Sequence, residues 1–160
     1  MKAYDAQYLN DLTSQAKNSP RLRQRQNIHQ SYQDPRHRLF NAIEPGSYIR
    51  PHRHASEPRE ELLIGIRGSM LLIMFDEQSS ITGILRFSSE KYGSGLVAAA
   101  EVPSSNWHIK VALLIGCVLL EVKASPFDPN RPKDLSPWAP EEDSQAVESY
   151  LQYLISRISG

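Results

Sequence analysis

The chain of 160 residues has one cysteine, Cys117. No internal disulfide can form, so the fold must rest on burial and hydrogen bonding, and a reducing compartment is the easier fit. Net charge is also missing: 18 Lys and Arg offset 18 Asp and Glu. That balance gives no global electrostatic footprint for nucleic acid or an anionic membrane surface. Long apolar runs are absent as well. Even "VALLIGCVLLEV" is too short to span a bilayer as a helix. Residues 1–19 are polar and carry no apolar signal-peptide segment. The expectation is a cytoplasmic protein without membrane or nucleic-acid partner, folded as one domain with room for a real core.

What is present falls into three textures. Residues 1–38 hold an N-terminal helix and an arginine-rich connector. Tyr4, Tyr8, Leu9, Leu12 and Ala16 fall at helical spacing on one face, and Pro20 limits the helix. Residues 39–123 alternate short apolar runs ("ELLIGIRG", "MLLIMFDE", "ITGILRF", "GLVAAAEV", "HIKVALLIG", "CVLLEVK") with Gly, Ser, Asn or Pro, the pattern of strands in a sandwich or barrel. Residues 124–160 begin with a proline-rich crossing too poor in N–H donors for regular ladders. Glu141, Glu142 and Asp143 then open a C-terminal helix, as acidic residues favour the positive end of a helix dipole. Its apolar face is Val147, Tyr150, Leu151, Leu154, Ile155 and Ile158. Both helices are expected to pack on the sheets.

Within "RPHRHASEPREELLIGIRG", His52 and His54 are one residue apart. On a strand, residues i and i+2 share a face, so both imidazoles could serve one metal ion. Glu61 follows after six residues that include Pro58, enough for a loop to reset the register. A carboxylate heading an apolar strand needs a charged or hydrogen-bonding partner if buried, and a cation would serve. Glu57 and Glu60 compete with it on spacing. His108 follows a turn at Pro103 and starts another strand, either as a satisfied core histidine or as a fourth ligand. Imidazoles and a carboxylate without thiolate suit Zn, Fe, Mn or Ni alike. Because the ligands must be deprotonated, affinity is expected to fall as pH drops through about 6.5.

These residues carry a family resemblance. "GSYIRPHRHASEPREELLIGIRG" is similar to the first cupin motif: glycine, five residues, His-x-His, a spacer, Glu, six residues, glycine. The spacer is longer here than the usual three or four residues. "PSSNWH" resembles the second motif, with Ser105 at its middle glycine. "SPRLRQRQNIH", "LFNAIEPGSYIRPHRH", "LEVKASPFDP" and "PWAP", in that order, resemble the WbuC family of cupin-fold metalloproteins from about Ser19 to Leu154. The resemblance implies an all-β, double-stranded β-helix (jelly-roll) barrel with flanking helices, and one divalent metal held by His52, His54, Glu61 and His108. It also implies a bacterial protein encoded among surface-polysaccharide (O-antigen) genes, in a family whose reaction is not established.

Other side chains are candidates around such a site. Tyr48 and Arg50 share strand parity with His52 and would line the cavity on a regular strand, as a phenol and as a fork for an anion. The alternative makes Tyr48 core and Arg50 rim. Lys110 has the parity of His108, either as a buried general base or near the mouth with its head in solvent. Tyr48 and Lys110 are thus the catalytic candidates. Arg21 and Arg23, with Arg25, Arg36, His37 and Arg38, form the one basic concentration, a clamp for an anionic ligand or solvated charge. The WbuC resemblance includes Arg21, Arg23, Asn27 and His29, which join Arg50 and Trp107 as ligand-binding candidates. Trp138 is expected to cover the barrel from outside and Cys117 to be a small core residue. The function expected is a metal-binding cupin acting on or recognising a small polar molecule, a sugar or an anion. As an enzyme it would be an isomerase, hydrolase, lyase or dioxygenase; the alternative is a non-catalytic metal-stabilised module. A homodimer paired through sheet edges is the assembly expected of small cupins.

Overall fold

Period-two alternation through the middle of the chain produces two five-stranded sheets that face each other. The computed structural model describes residues 1–55, 60–88, 96–124 and 133–159. The elements run α1 (Ala6–Asn18), β1 (Arg23–Asn27), β2 (Arg36–Ile43), β3 (His52–Arg53), β4 (Glu61–Arg67), β5 (Ser69–Phe75), β6 (Ile81–Ser88), β7 (Ala99–Val102), β8 (Trp107–Ala112), β9 (Cys117–Ala124), β10 (Asp134–Leu135) and α2 (Val147–Ser156). One sheet has the order β1-β2-β9-β4-β7 and the other β10-β3-β8-β5-β6. All these pairings are antiparallel. The result is a jelly-roll barrel.

Three apolar layers follow from the alternation. Ile43, Leu63 and Leu119 of the first sheet meet Met70, Leu72 and Phe87 of the second between the sheets. Behind the second sheet, Leu71, Ile73, Ile109 and Val111 take Leu151 and Leu154 of α2. Leu12 and Ala16 of α1 close on Phe40, Ala42 and Val118 behind the first. Strand β5 ("SMLLIMF") is therefore buried on both faces, which explains its almost unbroken apolar sequence. Each leucine so buried stabilises the fold by about 1.5–3 kcal/mol. Trp138 packs on Phe75 and Trp107 outside the barrel, with ring centroids at 4.9 and 6.3 Å.

Several boundaries differ from expectation. The arginine-rich connector contains β1, which pairs with β2 from Arg23↔Ile43 to Asn27↔Leu39. An edge strand with polar residues on both faces leaves no hydrophobic alternation to read. The second helix starts at Val147, because the chain first turns at Ser144 and Val147, whose N–H groups donate to Glu141 and Ser144. Ile155 falls outside its buried stripe and is exposed. The "HIKVALLIG" strand stops at Ala112, and exposed Leu114 and Ile115 form a turn into Gly116. The Glu44 carboxylate accepts from the Gly116 N–H at 3.0 Å.

Gly68 joins β4 to β5 at φ +77°, and a Cβ there would lie 2.5 Å from the Cys117 sulfur. Cys117 is fully buried, and burial pushes its thiol up, as befits a small core residue. Among the described residues, no helix is long and apolar enough to cross a membrane.

Candidate metal centre

Pairing of β3 with β8 places His52 directly opposite His108, so both rings project from one face. Their centroids are 4.5 Å apart. His54 follows β3 on the same parity, 5.3 Å from His52 by ring centroid. Glu61 opens β4 on the facing sheet. One donor atom from each of His52, His54, Glu61 and His108 lies within 4.8 Å of all the others. Donors bonding one ion at about 2.0–2.2 Å lie at most about 4.4 Å apart, so the set needs only slight closing to hold a cation. His54 Nε2 is 2.6 Å from Glu61 Oε1, and His108 Nε2 is 3.5 Å from Glu61 Oε2. Glu61 and His108 are fully buried, and His54 is the most open of the four. Exposed Glu60 lies on the rim, away from the set, and Glu57 is outside the described residues.

The ring orientations are fixed locally. Nδ1 of His52 lies 3.1 Å from the Arg50 carbonyl, and Nδ1 of His108 lies 3.0 Å from that of Asn106. A carbonyl can only accept, so in the neutral rings Nδ1 carries the proton and Nε2 presents its lone pair. His54 Nε2 and His108 Nε2 are buried without a hydrogen-bond partner, and Glu61 Oε1 is paired with Lys123. Unpartnered buried acceptors are costly, and a cation would satisfy both nitrogens. Burial, aided by Lys133, holds His52 well below the ordinary histidine value. Burial also lowers His54, against the pull of Glu61. Both are neutral at neutral pH, so proton competition for a metal starts below the free-histidine value expected from sequence. Burial would raise Glu61, but Lys110 and Lys123 hold it well below the usual carboxylate range.

A second polar layer lies beside these donors. Lys110, buried on β8, reaches Glu121 Oε1 at 3.1 Å and Glu61 Oε2 at 3.4 Å. Lys123 pairs with Glu61 and lies 3.1 Å from Glu121 Oε2. Asn41 donates to Glu121 Oε1 at 2.9 Å. Glu121 is fully buried, which alone would raise it, yet Lys110 and Lys123 keep it ionised. Sequence reading passed over Asn41, Glu121 and Lys123. The signal was there: Glu121 and Lys123 continue the inward parity of Cys117 and Leu119 along β9. Lys133 precedes β10, and burial beside Lys110 and Lys123 lowers it to about 8. Lys123 also lines a groove of about 520 Å³ with Arg36, Glu60, Glu101 and Ser104.

The other candidates go elsewhere. Tyr48 donates its hydroxyl to Pro140 O at 2.9 Å and meets Tyr150 edge-on under α2. Residues 44–51 form no strand, so parity with His52 does not hold there. Arg50 turns to the Ser136 carbonyl at 2.9 Å and toward Glu141. Trp107 alternates with His108 and so lies behind its sheet, donating to Glu77 at 3.1 Å with the Arg53 guanidinium over its ring. Arg21 and Arg23 both bind Glu142 at 2.7 Å, stapling β1 to the segment before α2 rather than offering a free clamp. Asn27 is exposed on β1. His29 stacks on His37 with centroids 4.1 Å apart, its Nδ1 2.9 Å from Arg38 O. Lys110 points inward and does not reach solvent.

Residues 4–87 match the family model described as a domain of unknown function, DUF6016. No curated protein matches the chain. Among solved structures, KdgF from Halomonas sp. is 16% identical, with 71% of this chain and 87% of that one aligned at a TM-score of 0.51. SO0799 from Shewanella oneidensis is 13% identical over 69% of this chain and 72% of that one, at 0.52. Oxalate oxidase in complex with the substrate analogue glycolate is 10% identical over 76% of this chain and 58% of its own, at 0.54. At such identities the likeness shows the fold, a cupin jelly-roll barrel. The family match spans more than half of the chain, which belongs to DUF6016.

Proposed function

We propose that this member of the DUF6016 family binds one divalent metal ion through His52, His54, Glu61 and His108 and uses it to hold a small polar molecule. The convergence of three imidazoles and a buried carboxylate, with two of the imidazole nitrogens unpartnered, carries this reading. Three nitrogen donors and one oxygen donor suit Zn, Fe, Mn or Ni. An ion bound there would supply Lewis acidity or, if redox-active, electron transfer. The Arg50 and Asn106 carbonyls aim two of the imidazoles, while Lys110 and Lys123 keep Glu61 ionised. Similarity to the WbuC family supports a sugar of bacterial surface-polysaccharide synthesis as the molecule held. A second reading, a metal that only braces the barrel, is favoured by Tyr48, whose phenol is committed to Pro140 outside the cavity.

The test is metal content by elemental analysis of the wild type, His52→Ala and His108→Ala after identical loading. Each variant should retain at least tenfold less metal, of the order measured for weaker losses around metal sites. Equal content in all three proteins would overturn the metal reading.

A further inference from the structure

Glu61 belongs to two sets at once, the four converging donors and the buried ion-pair cluster. Without a metal, two ammonium groups (Lys110, Lys123) face two carboxylates (Glu61, Glu121), and the cluster is neutral. A divalent ion held by three neutral imidazoles and Glu61 adds two positive charges to that balance. Nothing among the described buried partners offsets them: Asn41 is neutral and serves Glu121. Lys133 adds a further cation, since continuing the Leu135↔His52 and Asp134↔Arg53 register sets it opposite His54. Excess charge in a buried site is unfavourable until a counter-charge enters.

We infer that the molecule taken by this site is a small carboxylate, which places one oxygen on the metal and meets the ammonium groups of Lys110 and Lys123 with its charge. This rests on the metal reading given above. The geometry suits it: the Glu61 Oε2 that His108 approaches at 3.5 Å is also the oxygen 3.4 Å from Lys110 Nζ. That ammonium therefore borders the donor set on the Glu61 side. Lys123 belongs both to this cluster and to the lining of the groove bordered by Arg36, Glu60, Glu101 and Ser104. An acidic sugar meets the requirement; a neutral sugar leaves the added charge uncompensated.

The experiment is calorimetric titration of the zinc-loaded full chain with lactate and with lactamide, which share a shape and differ in charge. Lactate should bind at least about tenfold more tightly, the scale of a charge-assisted hydrogen bond. Lys123→Met, loaded with zinc to the wild-type content, should lose most of that preference, read as the ratio of the lactate and lactamide affinities; Lys123→Gln serves if the Met variant does not fold. Equal binding of the two probes, binding of neither, or an undiminished preference in the lysine variant overturns the inference. Zinc that is not retained by the wild type sinks the metal reading itself, whereas retained zinc without charge discrimination sinks this inference alone.

Discussion

Lys110→Met removes a buried ammonium that touches two carboxylates at 3.1 and 3.4 Å. Removing one partner of a buried ion pair costs about 3–5 kcal/mol, because the remaining charge is left uncompensated. Glu121 keeps Lys123 at 3.1 Å and Asn41 at 2.9 Å, which places this variant near the lower end, about 3 kcal/mol. Glu121→Gln should cost a similar amount, since Lys110 and Lys123 would then share the single carboxylate of Glu61. The double variant leaves Lys123 facing Glu61, one charge against one. It should lose about 3 kcal/mol rather than the roughly 6 of two independent losses, a coupling of about 3 kcal/mol. For a chain of this size each kcal/mol moves the melting temperature by about 2–4 °C, so each single variant should melt roughly 6–12 °C lower. Urea unfolding of the four metal-free proteins measures the cycle directly. Additive losses, or single-variant losses under about 1 kcal/mol, would refute the claim that these charges act as one buried unit.

Two further outcomes are expected. In chelator-treated protein, His52 and His54 titrate lower when folded than when unfolded, so the unfolded chain binds more protons below about 6.5. Stability from these residues is thus complete above about 6.5 and falls as pH drops toward their folded values, by at most about 1.4 kcal/mol per pH unit for each. Urea midpoints from pH 7.5 to 5.5 should show the decline, and an unchanged slope in His52→Asn would contradict it. Gly68→Ala should destabilise by about 2 kcal/mol or more, combining a left-handed backbone with the clash against Cys117. Adding Cys117→Ala should recover the clash but not the backbone cost; full recovery in thermal melts would show that φ is not strained.

The strands were legible wherever one or both faces are buried, as in β4, β5 and β9, because burial writes itself into alternation or into an unbroken apolar run. The pair His52 and His54 was legible for the same reason. β1 was not, since an edge strand carrying Arg, Gln and Asn looks like a connector. Of the two readings of Tyr48, the cavity-lining one rested on parity, which has meaning only on a regular strand, and the chain turns at Gly46 before β3 begins; Tyr48 is a core residue, packed with Leu151 and Leu154. Arg21 and Arg23 looked free because their partner, Glu142, lies at the far end of the sequence and is brought near only by the closed fold. The buried ion cluster escaped for a different reason. Charged residues at inward positions of β9 contradict the apolar pattern around them, and only the facing Lys110 reveals why they are tolerated.

Strand β3 is two residues long, and its one Cα partner across β8 is the match of His52 to His108. So short a ladder says little about its own alignment, and a slip of β3 by a single position would turn the imidazole at 52 to the opposite side, while the pairs of β8 with β5 hold 108 in place. A cation chelated by both rings would reward only the correct alignment. The same ion would then proofread strand assembly, and chains folding in its presence should reach the native pairing with fewer misaligned competitors.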